Sequence, residues 1–238
     1  MRYLLLFMLL VAVFVVGKRS CHFNGFGVRG SGPTKTESRS VSDFHAINHD
    51  ISGDVELSIG DYKVEVKAQE NLLPLIKTVV EIGTLKIYFD ESVSYSDDVK
   101  IFVTAPAIDA LSLGGSGEIR VLSPIQSDKM VVNLGGSGTV IIPQGTFNTL
   151  DCSIVGSGEI QVAGKSNTAT FGVSGSGEIA ANEMEINTLN TDISGSGNIS
   201  AHVVQLLKAD VSGSGEVHYS GAPTVESNIS GSGSVSKR

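Results

Sequence analysis

The sequence predicts an all-β chain, a right-handed β-helix or β-roll solenoid with a β-hairpin-rich N-terminal subdomain. Three observations predict it. The tripeptide Gly-Ser-Gly returns seven times, starting at Gly115, Gly136, Gly156, Gly175, Gly195, Gly213 and Gly231, at intervals of 18 to 21 residues. The position two before each copy is always aliphatic (Leu113, Leu134, Ile154, Val173, Ile193, Val211, Ile229), as is the position four after its first Gly (Ile119, Val140, Ile160, Ile179, Ile199, Val217, Val235). Polar residues alternate with both columns, so each flank has period two, the period of a strand with one buried face. Self-similarity at a fixed interval of this size marks stacked structural units.

One such unit cannot bury its apolar side alone, but seven stacked on one another share a continuous core. At about 4.8 Å per coil the seven make a rod about 34 Å long. Propeller blades need roughly 40 residues each, twice this repeat. The corners are Gly115-Ser116-Gly117, Gly136-Ser137-Gly138, Gly156-Ser157-Gly158, Gly175-Ser176-Gly177, Gly195-Ser196-Gly197, Gly213-Ser214-Gly215 and Gly231-Ser232-Gly233. Glycine permits positive φ and close approach of a neighbouring backbone. The serines are therefore expected to form one column along an edge, packed so tightly that Ser176→Val overpacks it.

In chain order, residues 1–20 read as a signal peptide: Arg2, an apolar run from Tyr3 to Val16, then Gly17, Lys18 and Arg19. The run is too short to span a membrane and suits a secretory leader. Cys21 follows where a bacterial lipoprotein carries its lipidated cysteine. Ser20 suits that reading, while Lys18 and Arg19 depart from the usual lipobox; cleavage after Gly17 and an uncleaved anchor are the alternatives. Cys152 falls on an inward column and reads as a buried apolar residue. Residues 21–40 read as a flexible tether. Gly25, Gly27 and Gly30 in it spell a dinucleotide-binding pattern, but no strand precedes them and no helix follows.

Residues 41–108 are β-rich and out of register with the later repeat. Alternation over 55–59 and 62–67 around Gly60-Asp61 reads as a hairpin, and 79–82 with 85–89 around Gly83-Thr84 as a second. Pro74 makes 71–76 a short helix or an irregular link, 90–98 an acidic loop, and 99–104 a further strand. Ile51-Ser52-Gly53-Asp54-Val55 resembles a degenerate corner. Residues 109–238 hold the seven corners. The third side of each coil varies most in sequence, and a solenoid usually makes its contacts on such a face. The last residues, Ser236-Lys237-Arg238, carry no distinct cap; either their charges blunt an open edge or another chain covers it.

The formal net charge is −8, and no basic stripe exists to meet phosphates, so nucleic acid is excluded as a partner. The corner serines lack the strand-to-helix elbow and the recurrent histidine of a hydrolase. Glu118, Glu159, Glu178 and Glu216 form one column and Asp192 and Asp210 another. Such ladders read as solvated faces, although a glycan-active enzyme or a Ca²⁺ site would also draw on carboxylates. His45 and His49 are spaced to share a strand face without a third metal ligand. No catalytic, cofactor or metal residue is assigned.

With these residues in hand, the chain resembles the head GIN domain family of auto-transporter adhesin-like proteins, found largely as Bacteroidetes envelope lipoproteins. The resemblance rests on Arg39-Ser40-Val41-Ser42-Asp43-Phe44, Ile51-Ser52-Gly53-Asp54-Val55-Glu56-Leu57, Glu70-Asn71-Leu72-Leu73-Pro74, Gly83-Thr84-Leu85-Lys86-Ile87 and the recurrent Gly-Ser-Gly-Glu-Ile. It implies a β-helix-like fold, an envelope location and no established catalysis. The expected protein is a non-enzymatic, lipid-anchored envelope module with no cofactor, held to the membrane by its anchor alone. Its candidate partners are a glycan, another envelope protein, or a second copy through a solenoid end. The alternatives are a glycan-active enzyme and a lipid or small-ligand binder using a groove beside the first hairpins.

Overall fold

The computed structural model describes residues 27–95 and 99–238; the apolar leader and Cys21 lie outside the described residues. The strands run β1 (Val28–Arg29), β2 (Thr34–Arg39), β3 (Ala46–His49), β4 (Asp54–Ile59), β5 (Lys63–Gln69), β6 (Ile76–Glu81), β7 (Thr84–Phe89), β8 (Val93–Tyr95) and β9 (Lys100–Ala105). They continue with β10 (Ala110–Leu113), β11 (Glu118–Val121), β12 (Ile125–Leu134), β13 (Thr139–Gly156), β14 (Glu159–Gly175), β15 (Glu178–Gly195), β16 (Asn198–Gly213), β17 (Glu216–Gly221), β18 (Thr224–Gly231) and β19 (Ser234–Lys237). All but β1 and β8 join one sheet of 17 strands.

That sheet is a β-solenoid. Each coil has three walls, one before the Gly-Ser-Gly corner, one after it, and a third that closes the turn. The long strand β13 passes through all three and pairs in parallel with β14 at each: Val140 with Ile160, Thr146 with Lys165, Cys152 with Phe171. The register slips between Ile142 and Gly145, where one coil has an extra residue. The change of interval from 20 to 19 residues is thus absorbed on the third side, leaving the corners aligned.

The inward columns share one hydrophobic cluster with the N-terminal strands. Ile119, Val140, Ile160, Ile179, Ile199 and Val217 are all fully buried, as the period-two pattern requires. Each such side chain removed from water contributes about 1.5–3 kcal/mol. In the next column Cys152, Phe171, Thr191 and Ala209 lie one above another. The large Phe171 ring is flanked by smaller neighbours, which keeps the interior filled without strain.

The N-terminal half enters this stack in an unexpected order. Wall one stacks as β7, β3, β10 and wall two as β9, β4, β11, all parallel. The coil made by β3 and β4 therefore lies between two coils that follow it in sequence. The segment 51–53 does serve as a corner: Gly117 sits so close above Gly53 that an added Cβ would lie 1.8 Å from its carbonyl oxygen. Beyond β7 and β9 the pairing turns antiparallel, β6 against β7, then β5 against β9 and β2 against β5.

Three expectations change. The alternating runs around Gly60-Asp61 do not form a hairpin, because β9 inserts between β4 and β5, pairing Ile59 with Ala105 and Lys63 with Thr104. Residues 21–40 are not wholly a tether, since β2 pairs with β5 from Thr34–Gln69 to Arg39–Val64. The acidic loop holds β8, which pairs with β1. Of the two forms expected around Pro74, the irregular link is the one present: residues 70–75 form a turn with Leu72 N–H donating to Gln69 O (2.9 Å), followed by β6. The second hairpin is present, with its turn at Ile82-Gly83, one residue earlier than expected. Both residues have positive φ (48° and 71°), as a type I′ turn demands.

Candidate functional site

The corners come first, because they recur. From Gly156 onward the first glycine of each has φ between 121° and 137°, a region that suits glycine alone. Its missing side chain matters as well: a Cβ on Gly175 would lie 2.4 Å from Gly156 O. The second glycine is buried in the five middle corners, from Gly138 to Gly215, Gly177 lying against Ile154. The serines between them form a column, as expected, but Ser116, Ser137, Ser157, Ser176, Ser196, Ser214 and Ser232 are all exposed. Tight packing belongs to the glycines, so the expected overpacking at Ser176 is corrected. The serine backbones serve the ladder, Ser176 N–H donating to Gly156 O at 2.9 Å. At the corners the glycines allow close stacking and the serine backbones join the ladder.

The carboxylate column after the corners is interrupted. In register it reads Asp54, Glu118, Thr139, Glu159, Glu178, Asn198, Glu216, Ser234. Carboxylates stand on adjacent coils at two places, Asp54 with Glu118 and Glu159 with Glu178. Arg120 clamps Glu118 at 2.7 Å, and Gln161 donates to Glu159 at 2.8 Å. Among the described residues no group of three or more His, Cys, Asp or Glu is placed to hold a metal ion.

The two early histidines part company. His45 is exposed and pairs with Asp109 at 2.8 Å, whereas His49 is fully buried in an inward column between Ile87 and Leu113. Its Nε2–H donates to Gly53 O at 2.6 Å, which fixes the tautomer and leaves Nδ1 without a partner. Burial holds its pKa below the ordinary value, opposed mainly by that hydrogen bond. Cys152 is also interior, and desolvation, with Asp151 nearby, pushes its thiol far up, away from reactivity.

A hydrogen-bonded chain that sequence reasoning missed runs from Ser236 Oγ to His218 Nδ1 (2.9 Å) and from His218 Nε2 to Glu216 Oε2 (3.0 Å). The residue types are those of a hydrolase relay. Only the 18-residue step from His218 to Ser236, matching the repeat, could have signalled it. The nearby backbone donors are spent in the ladder, Ser234 N–H on Gly215 O and Arg238 N–H on Tyr219 O. The chain is a polar rung between coils, as is His202 with Ser220 at 2.9 Å.

Two grooves border the variable third side. One, of about 300 Å³, runs over Ile141, Pro143, Val162 and Ala163 with Glu159 and Asn182 at its rim. The other, of about 510 Å³, is lined by Gln126, Ser127, Asp128, Thr146, Phe147, Asn148 and Asn167. Its amides form a ladder: Asn187 Nδ2 donates to Asn167 Oδ1 (3.1 Å) and Asn167 Nδ2 to Asn148 Oδ1 (3.4 Å). Asn167 therefore uses one donor and one acceptor within the ladder. A second N–H and a lone pair remain for a ligand.

A sequence profile described as "Putative auto-transporter adhesin, head GIN domain" matches residues 43–223. Among solved structures, a "putative lipid binding protein" from Parabacteroides distasonis shares 32% identity over 89% of this chain and 99% of its own, with a TM-score of 0.77. A "putative adhesin" from Bacteroides fragilis superposes with a TM-score of 0.83 at 23% identity, covering 89% of this chain and 100% of its own. Another from Parabacteroides merdae gives 0.74 at 24%, covering 89% and 98%. No curated protein matches the chain.

Proposed function

The chain belongs to the head GIN domain family, and from that membership we propose that it is a non-enzymatic binding module of the cell envelope. It is an exported lipoprotein, anchored through Cys21, whose rigid solenoid presents a groove edged by stacked amides to a glycan. The observation that carries this reading is the amide ladder beside Asp128. Sugars offer closely spaced hydroxyls that both donate and accept. Stacked amides and a carboxylate, repeating at about 4.8 Å, present donors and acceptors in turn. The arrangement needs no cofactor and involves no bond making.

A glycan array probed with the folded chain tests it. The expected result is selective binding that Asn148→Ala with Asn167→Ala abolishes at an unchanged melting temperature. Silence on the array overturns the glycan assignment.

A second reading, lipid binding, is favoured by the name of the 32%-identical relative and by the Ile141, Pro143 and Val162 floor of the smaller groove. It predicts capture of a fluorescent fatty acid, lost in Ile141→Asp and indifferent to the asparagines.

A further inference from the structure

The last coil carries a strand edge shaped for pairing, and the geometry points to a second copy of this chain as its occupant. The inference stands independently of the glycan and lipid readings. Strand β18 pairs on one side with β16, and among the described residues no strand lies along its other side. In a parallel ladder, backbone groups point alternately to the two neighbours. Val131 N–H donates back to Asp109 O, and the register carries Val131 onto Glu226 through Asp151, Thr170, Asn190 and Lys208. Glu226 and Asn228 therefore face the preceding coil, and the N–H and C=O groups of Val225, Ser227 and Ile229 face outward.

The side chains of those same three residues extend the interior columns. Ile229 lies over Val211, Ser227 over Ala209 and Val225 over Leu207. Ile229 is 41% exposed where Val211 beneath it is 2%. Backbone and core both end unfinished along one strand.

That strand is complementary to itself. An antiparallel pairing about a two-fold axis at Ser227 sets Ser227 against its own copy and Val225 against Ile229 of the second copy. All are hydrogen-bonded pairs that use the outward groups. On the solvent side Glu226 meets Asn228, and Thr224 meets Ser230, so no like charges oppose one another. This is the isologous contact a two-fold dimer requires. The covering edges at the other end carry more charge: β2 has Lys35, Glu37 and Arg39, and β6 has Lys77 and Glu81. β18 has no proline, no slip in its register with β16, and one charge, Glu226, engaged by Lys208 at 3.1 Å. Unguarded edges of this kind recruit strands.

Sedimentation equilibrium of the full chain in detergent tests the proposal, with the mass of a dimer as the expected result. Ile229→Lys places an inward charge on the edge and is expected to raise the dimer dissociation constant about tenfold or more, with the melt of the monomer retained. Ser227→Cys, in a Cys21→Ser background, supplies a geometric readout. Opposed residues of a hydrogen-bonded antiparallel pair lie about 5.5 Å apart, within disulfide reach. Mild oxidation then gives a covalent dimer, while Ser230→Cys, displaced from its own copy, does not. A monomer at all concentrations overturns the proposal, as does a dimer that survives Ile229→Lys and fails to cross-link through position 227.

Discussion

The two ends of the solenoid solve the same problem differently. At the N-terminal end the last parallel strands, β7 and β9, are covered by antiparallel β6, β5 and β2. Leu85, Ile87, Ile101 and Val103 beneath that cover are at most 1% exposed. At the C-terminal end β18 and β19 present a plain parallel edge, and Ser227, Ile229 and Val235 continue columns that are sealed in every coil below. An antiparallel strand reverses the chain within a short turn and ends the repeat with backbone groups satisfied. A parallel coil can only pass the problem to the next coil. A repeat sequence is thus stable in its middle and depends at each end on a non-repeating element or on another chain.

That contrast can be broken most severely at a corner. Gly175→Val forces a β-branched residue to φ 127° with Cβ 2.4 Å from Gly156 O. A loss of about 4 kcal/mol or more is expected, read as a collapse of the thermal transition. Gly231→Val meets a similar clash, 2.3 Å from Gly213 O, but only the last coil depends on it. Its loss is expected as early hydrogen exchange in 224–237 with the main melt little changed. Ser176→Val, exposed beside Gly175, is expected within about 0.5 kcal/mol of the parent.

Truncation sharpens the comparison. Ile87→Ala under the N-terminal cover should cost about 2–5 kcal/mol in denaturant unfolding, whereas Ile229→Ala should cost under about 1 kcal/mol in the monomer, because its side chain is already 41% exposed.

Acid reads the N-terminal end selectively. His49 is held neutral in the core with its pKa lowered, so the unfolded chain binds a proton that the folded chain refuses. Its stabilising contribution is whole above the unfolded value of about 6.5 and is lost as the pH falls toward the depressed folded value. The melting temperature should drop on acidification from about pH 7 to 5, with a shallower slope in His49→Leu. A gain is expected mid-stack. Thr191 Oγ1 is buried without a partner, and Thr191→Val should raise stability by about 1 kcal/mol in the same assay.

The stacked half of the fold was legible because its signals are local and repeated. Leu113 to Ile229 and Ile119 to Val235 name their own partners by spacing, and pairing in register is what the structure shows. The N-terminal half was not, because its pairings join distant segments. Nothing near Gly60 indicates that residues 100–105 will lie between the two strands it connects, nor that residues 34–39 will cover the end. The corner serines were placed correctly in sequence and misjudged in depth, since alternation tells inside from outside only along straight strand. The amide ladder at Asn148, Asn167 and Asn187 was visible only as part of a variable side. Its steps of 19 and 20 residues follow the slipped register of the third wall, which had to be seen before those asparagines could be aligned.

The interleaving of β3 and β4 between later segments carries a consequence for how the chain acquires its shape. Those two strands emerge early, yet each must wait for one neighbour on either side, supplied by 84–105 and then by 110–121. The β3–β4 coil is therefore complete only when both flanking segments are present. A chain stopped after Val121 holds every contact of that coil, whereas deletion of 84–105 leaves it exposed on one flank however many coils follow.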